Sequence, residues 1–187
     1  MSIILASGSP RRRDLLMEAG VEFEVMPANV DERLLPGETA KDFVKRLSVD
    51  KALAISCIRT DCLVIGADTI VVLDGKIYGK PTDLADASRM LATLSARTHN
   101  VLTGVAFVRN GKILENWTSR SDVTFKQLND NDIKSYIACV NPLDKAGSYG
   151  FQHHGDMIVE KFDGLKSNII GLPIEEVMKK LDKFWRR

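Results

Sequence analysis

Two hydrophobic patterns divide this chain into predicted strands and helices. Short, nearly continuous apolar runs, as at residues 3–6 and 63–67, are typical of strands buried on both faces of a sheet. Segments with apolar residues three or four positions apart predict helices that cover such a sheet. The predicted strands span about residues 3–6, 23–26, 63–67, 70–73, 76–78, 101–108, 112–124 and 157–162, and the predicted helices about 10–19, 39–55, 84–94, 129–139 and 173–184.

The segments between these elements carry start and turn signals. Ser9, followed by proline, is a favourable helix start, and Thr39 with Asp42 three residues later resembles a capping box. Asp74-Gly75 and Asn110-Gly111 each separate two predicted strands and favour tight hairpin turns. Because hairpins interrupt the alternation of strands and helices, we predict an α/β fold. Its mixed, twisted sheet is flanked by helices, and two lobes have a cleft between them.

Composition and charge narrow the class of protein. With 187 residues and 44% hydrophobic content, the chain is long enough for one well-formed core, in one domain or two joined lobes. We treat 1–187 as a single domain. The net charge of +1 gives no strong positive electrostatic field, so binding of nucleic acid or membranes across a whole face is not favoured. The chain shows no charged leader and no run of about 20 apolar residues, so we expect a cytoplasmic protein.

The three cysteines and three histidines give no disulfide or metal signature. The cysteines are odd in number and lack the paired spacing of a zinc site or a disulfide framework. His153 and His154 are adjacent but lack a third ligand, so we expect them to be exposed. We expect His99 to be structural.

The segment from Ser9 to Arg12, directly after the first predicted strand, predicts an anion site. The free N–H groups and positive dipole end of the helix would face the same small volume as the guanidinium groups of Arg11 and Arg12. A polyphosphate is the ligand that this arrangement favours, although similar helix starts are common without a ligand. Three later segments have the same character: GADT at 66–69, GKP at 79–81 and DKAGSYGFQ at 144–152.

Together these segments resemble the Maf family of nucleotide pyrophosphatases. The motifs occur in the family's order and at about its spacing from Ile3 to about Leu181. They are LASGSPRRRDLL, VDER, DKALA, GADTIV, GKP, PLDKAGSYGFQ and NIIGLP. This chain has Phe151 where isoleucine is more usual. GADT and the GSYGFQ loop resemble the branch that hydrolyses dTTP and UTP, rather than the branch that acts on 7-methyl-GTP. The resemblance implies hydrolysis to the monophosphate and pyrophosphate, removal of unwanted or modified nucleotides, and a homodimer as a plausible assembly.

Cleavage between the α and β phosphates requires a positioned water and neutralisation of the triphosphate's charge. Asp68 is the first candidate, since it ends a buried strand and matches the family's proton acceptor; direct action on water and action through a metal both stay open. Glu32, with Asp31 as a potential helper, is the second carboxylate for a divalent cation (Mg²⁺, Mn²⁺ or Co²⁺). Lys51 and Lys80 are predicted contacts of the phosphates or leaving group.

Three residues are better suited to recognise the base than to perform chemistry. A uracil or thymine edge offers two carbonyl acceptors flanking one N–H donor. The Gln152 amide donates and accepts hydrogen bonds, and the Thr69 hydroxyl does either. Arg12 resembles the third specificity position of the dTTP/UTP branch. We expect Asp144 and Lys145 to form a local ion pair that shapes the glycine-rich loop.

Other interpretations stay open. Each candidate has an ordinary structural role available to it, as a turn former, a loop cap or a solvated charge. The resemblance also suggests a nucleotide-binding regulator of septum formation and cell division, which would need the phosphate contacts but not Asp68 and a metal. Within the same chemistry, CTP or a modified pyrimidine nucleotide could be preferred. The expected partner is a small nucleoside triphosphate, rather than nucleic acid or a membrane.

Overall fold

A computed structural model describes residues 2–152 and 154–185 of the chain. The strands are β1 (Ile3–Leu5), β2 (Glu24–Val25), β3 (Leu63–Leu73), β4 (Lys76–Tyr78), β5 (Thr98–Arg109), β6 (Lys112–Phe125) and β7 (Val159–Asp163). The helices are α1 (Pro10–Glu18), α2 (Ala40–Ser56), α3 (Leu84–Leu94), α4 (Asp130–Cys139), α5 (Gly155–Ile158), α6 (Lys166–Ile170) and α7 (Ile174–Trp185), with a 3₁₀ turn at Ala146–Ser148.

The strands form one mixed sheet. Its order is β2-β1-β3-β5-β6-β7, and β4 pairs with β3 outside this path. β1 is parallel to both β2 and β3, with Ile4 opposite Val64, whereas β3–β4 and β6–β7 are antiparallel. The predicted mixed α/β fold is therefore confirmed.

The chain divides into two compact units. Unit 1 comprises residues 1–69, 103–119 and 166–187, and unit 2 comprises residues 70–102 and 120–165. The boundaries fall within β3 and β5, and between residues 119 and 120 of β6. The predicted division into two lobes is confirmed, while the assignment of the whole chain to one domain stays a prediction.

In unit 1, helix α2 lies very close to the sheet because two strand residues have no side chain. A Cβ on Gly66 of β3 would lie 2.0 Å from the carbonyl oxygen of Ser48, and one on Gly104 of β5 would lie 2.1 Å from that of Val44. The buried cluster on this face is Ile4, Ala6, Ala52, Ile55, Cys62, Val64, Ala106 and Val108. This close packing fixes the position of the side chains on the second half of α2.

Helix α7 covers the opposite face of the sheet in unit 1. Phe107 follows Ala106 in β5, so its side chain points to the other face. The Phe107 ring meets that of Phe184 on α7 edge-on, with centroids 6.1 Å apart. Helices therefore flank both faces here, as predicted.

In unit 2, helices α3 and α4 pack against each other beside the glycine-rich loop. Their inner faces bury Ala87, Leu91 and Leu94 of α3 and Ile133 and Tyr136 of α4. Asn129 and Asp132 form the capping box that starts α4. Across the described residues, no helix is long and apolar enough to cross a membrane.

The helix starts and hairpins that the sequence predicted are largely confirmed. Thr39 accepts a hydrogen bond from the Asp42 amide at the start of α2. Both central residues of each predicted hairpin turn have positive φ, at 50° and 76° for Asp74-Gly75 and at 50° and 71° for Asn110-Gly111, as a type I′ turn requires.

Three local predictions were wrong. The predicted strands 63–67 and 70–73 are one unbroken strand, β3, so Asp68 lies in the middle of a strand and not at its end. A carboxylate is tolerated there because it is paired with a lysine ammonium. The segment predicted as a strand from residue 157 begins with the last turn of α5, and the short helix α6 was not predicted.

Candidate active site

A buried lysine joins two carboxylates in unit 1. Lys51 projects from the second half of α2, and its Nζ lies 2.7 Å from Oδ1 of Asp68 and 2.7 Å from Oε1 of Glu32. The side chains of Lys51 and Asp68 are 10% and 11% exposed, whereas that of Glu32 is 56% exposed. We call these three residues the carboxylate–lysine triad. The structure thus brings Lys51, predicted as a phosphate contact, to the two carboxylates that the sequence predicted as ligands of one cation.

The triad has both buried and open components. Burying an isolated charge is costly, and the contact between Asp68 and Lys51 offsets part of that cost for both. Glu32 approaches the same ammonium from a solvent-exposed loop. With two carboxylates on one ammonium, the triad carries a formal charge of −1 and presents an acidic side to solvent.

Asp31 is paired with Arg33. Its carboxylate accepts hydrogen bonds from the Arg33 guanidinium and from the Arg33 amide. The side-chain bond from Arg33, followed by the backbone bond, holds the pKa of Asp31 below its usual value. These contacts do not support the predicted role of Asp31 as an additional ligand of a divalent cation.

Arg12 is buried, and it does not point into open space as the phosphate-site prediction required. Its Nε donates to the carbonyl of Gly171 at 2.8 Å, and its two terminal nitrogens donate to the hydroxyls of Ser7 at 2.9 Å and Thr69 at 3.0 Å. Burial is the largest influence and lowers the pKa of Arg12, while the charge of Asp68 opposes that shift. Arg12 therefore organises protein groups around Thr69, with which the sequence had paired it for base recognition.

The start of α1 differs in detail from the expected cap. Ser9 has the extended backbone of an N-cap, and Pro10 occupies the first turn, but the Ser9 hydroxyl makes no capping hydrogen bond. The Ser9 amide instead donates to the Ser7 hydroxyl at 3.3 Å. Arg11 is half-buried beside this helix start. The N-terminal turn thus presents backbone N–H groups without a side-chain cap, which is compatible with an anion site.

The remaining predicted site residues belong to unit 2. Lys80 is exposed in the turn after β4, and Gln152 is exposed at the end of the glycine-rich loop. The Gly147 amide donates to the carbonyl of Gly79 at 3.0 Å, so this loop is joined to the turn that carries Lys80. The predicted ion pair of Asp144 with Lys145 is confirmed, at 2.5 Å.

Two aromatic anchors of the glycine-rich loop were missed by sequence reasoning. The Tyr136 hydroxyl accepts from the amide of Gly150 at 2.9 Å and donates to its carbonyl at 3.2 Å. The Tyr149 hydroxyl lies 2.8 Å from Nε2 of His99, which is buried as predicted for a structural residue. Burial lowers the pKa of His99 to about 4. Of the other histidines, His154 is exposed as expected, and His153 lies outside the described residues.

The triad contains the donors that a divalent cation would need. Among the described residues, no three His, Cys, Asp or Glu side chains come together as metal ligands. The Asp68 and Glu32 carboxylates nevertheless meet at one cation, the Lys51 ammonium. Magnesium is commonly held by one or two carboxylates, with substrate phosphates and water as the other ligands. These residues therefore fit such an ion when a phosphate-bearing ligand supplies further oxygens.

A family model described as Maf-like protein matches residues 2–184. The chain belongs to the Maf family. The match covers all the predicted site residues, in both units of the Maf fold described above.

Curated relatives share nearly the whole length of this Maf protein. A protein named dTTP/UTP pyrophosphatase from Bacillus anthracis (strain CDC 684 / NRRL 3495) is 43% identical over 182 residues, which is 97% of this chain and 95% of the relative. A protein of the same name from Geobacter sp. (strain M21) is 45% identical over 183 residues, 96% of this chain and 94% of the relative.

Among solved structures, a nucleoside-triphosphatase / dITP/XTP pyrophosphatase from Mycobacterium abscessus is 17% identical. The superposition has a TM-score of 0.42 and covers 68% of this chain and 76% of the other.

Proposed function

We propose that this Maf family protein is a nucleoside triphosphate pyrophosphatase that hydrolyses dTTP and UTP to the monophosphate and pyrophosphate. The observation that carries the proposal is the carboxylate–lysine triad, found in a chain that is 43–45% identical to proteins named dTTP/UTP pyrophosphatase. A nucleotide-binding regulator has no evident use for a buried aspartate held by a buried lysine.

Asp68 is the proposed proton acceptor. Its carboxylate is fixed in direction by its strand and by the 2.7 Å contact with Lys51. A preorganised base of this kind takes a proton from an attacking water without first rearranging. The Lys51 ammonium holds the Asp68 carboxylate in place and lies ready to offset negative charge that develops on the phosphates.

The triphosphate is the proposed ligand of the basic and N–H groups near α1. Ser9, Arg11 and the uncapped first turn of α1 supply donors for phosphate oxygens. Lys80, in unit 2, is proposed as a further phosphate or leaving-group contact because of its motif position and exposure. Arg12, Thr69 and Gln152 are proposed to recognise the base.

A divalent cation, Mg²⁺, Mn²⁺ or Co²⁺, is part of the proposal. Glu32 and Asp68 would hold it, together with phosphate oxygens of the substrate. When bound, such an ion neutralises charge on the triphosphate. The Lys51 ammonium that contacts both carboxylates would then be available to the phosphates.

The cellular role follows from the chemistry. Hydrolysis of dTTP, UTP or modified pyrimidine nucleotides would remove them before a polymerase incorporates them, and we place this activity in the cytoplasm. Assembly as a homodimer and a link to septum formation stay predictions.

The reaction is tested by product analysis with a panel of nucleoside triphosphates and each of the three metals. We expect dTTP and UTP to yield pyrophosphate and the monophosphate in equal amounts. If orthophosphate and the nucleoside diphosphate are released instead, the enzyme cleaves between the β and γ phosphates and the proposed α–β cleavage is wrong. Nucleotide binding without any phosphate release would favour the regulator.

A further inference from the structure

Glu32 lies in a solvent-exposed loop of unit 1. The chain forms no helix or strand between β2 and α2, and all seven residues from 31 to 37 are exposed. We call residues 31–38 the Glu32 loop. Because fixing an exposed loop costs conformational entropy, the position of the Glu32 carboxylate depends on the polar contacts that this loop makes.

Arg46, in the first half of α2, binds the Glu32 loop at two points. Its Nε and Nη2 donate to the two oxygens of the Glu38 carboxylate at 2.7 and 2.9 Å, and Nη2 also donates to the carbonyl oxygen of Arg33 at 3.0 Å. A planar guanidinium suits this forked contact with a carboxylate. The Glu38 carboxylate also accepts from the Leu35 amide at 3.0 Å, so these contacts hold the loop from residue 33 to residue 38.

Arg46 is itself fixed on α2. Its Nη1 donates to Asp50 at 3.2 Å, and its guanidinium carbon lies 5.5 Å from the centroid of the buried Phe43 ring. The side chains of Arg46 and Glu38 are only 25% and 8% exposed. Most ion pairs on an open surface contribute little, but a forked, partly buried pair within a network of charges is the exception.

The helix that carries Arg46 also carries Lys51. The Lys51 ammonium contacts the Glu32 carboxylate at 2.7 Å, and Arg46 binds the backbone carbonyl of the next residue, Arg33. Helix α2 therefore holds this part of the loop by both a side chain and the main chain. The Arg46 contacts do not involve the Glu32 carboxylate, so they would persist when that carboxylate turns from Lys51 to a divalent cation.

We propose that Arg46 is a positioning residue that holds the Glu32 carboxylate beside Asp68 and so sets the affinity of the divalent-cation site. This inference rests on the proposed function, in which Glu32 and Asp68 hold the cation. Arg46 is positively charged, so by electrostatics alone its removal would favour cation binding. A loss of cation affinity on removing Arg46 therefore has to come from the position of Glu32 and not from the lost charge.

The first test measures Mn²⁺ binding, so it does not depend on turnover. Wild-type protein and Arg46→Met are titrated with Mn²⁺ in the presence of α,β-methylene-UTP, whose α–β bridge is not hydrolysed, and free Mn²⁺ is measured by electron paramagnetic resonance. We expect the dissociation constant of Mn²⁺ to rise about tenfold in the variant, since contacts that orient metal ligands are typically worth about 10–100-fold in affinity. A folded Arg46→Met protein with the wild-type dissociation constant would overturn the inference.

The second test separates the positioning of Glu32 from a general effect on the fold. In a double-mutant cycle, Arg46→Met is also introduced into Glu32→Gln. If Arg46 acts through Glu32, its loss should change the Mn²⁺ dissociation constant in that background by no more than about twofold, the usual error of additivity. An equal tenfold effect in both backgrounds would show that Arg46 does not act through Glu32, and the inference would be wrong.

Glu38→Ala tests the same contact from the side of the loop, and it decides the question if Arg46→Met does not fold. This variant loses both the fork to Arg46 and the bond to the Leu35 amide, so we expect a similar rise in the Mn²⁺ dissociation constant. Arg59→Met is the matched control, because Arg59 forms a forked pair with Glu24 of β2, outside the loop. Unchanged binding in Glu38→Ala, or an equal rise in Arg59→Met, would contradict the proposed role of Arg46.

Failure of the proposed function is distinguishable from failure of this inference. If neither dTTP nor UTP yields pyrophosphate, the function fails, while the Mn²⁺ titration still shows whether Arg46 governs the cation site. If pyrophosphate is released but Mn²⁺ binds equally well with and without Arg46, the function stands and only the role of Arg46 fails.

Discussion

At the scale of single residues, burial decides which charged and titratable side chains have a defined role. Lys51 and Asp68 are almost fully buried and paired, so removing Lys51 would leave the buried Asp68 carboxylate without this partner, whereas removing Asp68 would leave Lys51 with the exposed Glu32. Surface pairs such as Asp31 with Arg33 remain well exposed and contribute little to stability. The buried pair of Lys51 and Asp68 lies in two of the sequence motifs, and its burial is also costly in free energy.

His99 provides a prediction about pH. Its folded-state pKa is about 4 because of burial, below the value of about 6.5 for an unfolded chain. Between these two values the unfolded chain binds the extra proton, so the free energy of unfolding should fall as pH drops from about 6.5 toward 4. Urea unfolding at pH 7 and pH 5 measures this loss.

His99→Gln and His154→Gln separate this effect from general acid sensitivity. The His99 variant should lose less stability between pH 7 and pH 5 than the wild type. The exposed His154 is the matched control, and its variant should lose as much as the wild type. An unchanged pH dependence in His99→Gln would show that another group causes it.

At the scale of elements, the site depends on how closely α2 lies on the sheet. Gly66 and Gly104 allow this approach, and the approach sets where Lys51 meets Asp68. The sequence predicted α2, its cap and the glycine-containing strand. It could not predict the contact, because hydrophobic periodicity says which face of a helix is buried but not how near the backbone of its neighbour lies.

Gly66→Ala should therefore be strongly destabilising. Its Cβ would meet a helix carbonyl oxygen at 2.0 Å, and overpacking of this kind typically costs about 1–3 kcal/mol or more. Gly79→Ala is the matched control, since nothing lies within 4 Å of a Cβ there. The comparison is made by urea unfolding, and equal stabilities of the two variants would contradict the account of α2.

The errors in the sequence predictions have similar local causes. Asp68 was placed at a strand end because a carboxylate inside a strand is unusual, and the partner that permits it comes from a distant segment. Tyr136 lies in the predicted helix 129–139, and the sequence predicted no role for it. Its hydrogen bonds to Gly150 became visible only when the glycine-rich loop was placed beside α4. Arg12 was assigned to phosphate as well as to base recognition, because its hydrogen bond to the carbonyl of Gly171, which is distant in sequence, could not be predicted.

At the scale of the whole molecule, the fold class, the family and most of the element order were predictable, since they rest on periodicity and on motifs that span nearly the whole chain. The candidate site residues and their roles stay predictions. Their grouping was not predictable: unit 1 holds the triad, Ser9, Arg11, Arg12 and Thr69, whereas unit 2 holds Lys80 and Gln152. Long-range pairings of this kind depend on tertiary contacts.

Asp68 is the proposed proton acceptor of this pyrophosphatase, and the substitution Asp68→Asn tests that role. The amide keeps the shape of the side chain while removing its basicity. We expect kcat for pyrophosphate release from dTTP and UTP to fall by about 10²-fold or more, with KM changed only severalfold. Thermal unfolding verifies that the variant is folded, and Asp163→Asn, an exposed carboxylate in β7, should keep wild-type kcat. A folded Asp68→Asn protein that retains a kcat close to the wild-type value would show that Asp68 is not the proton acceptor.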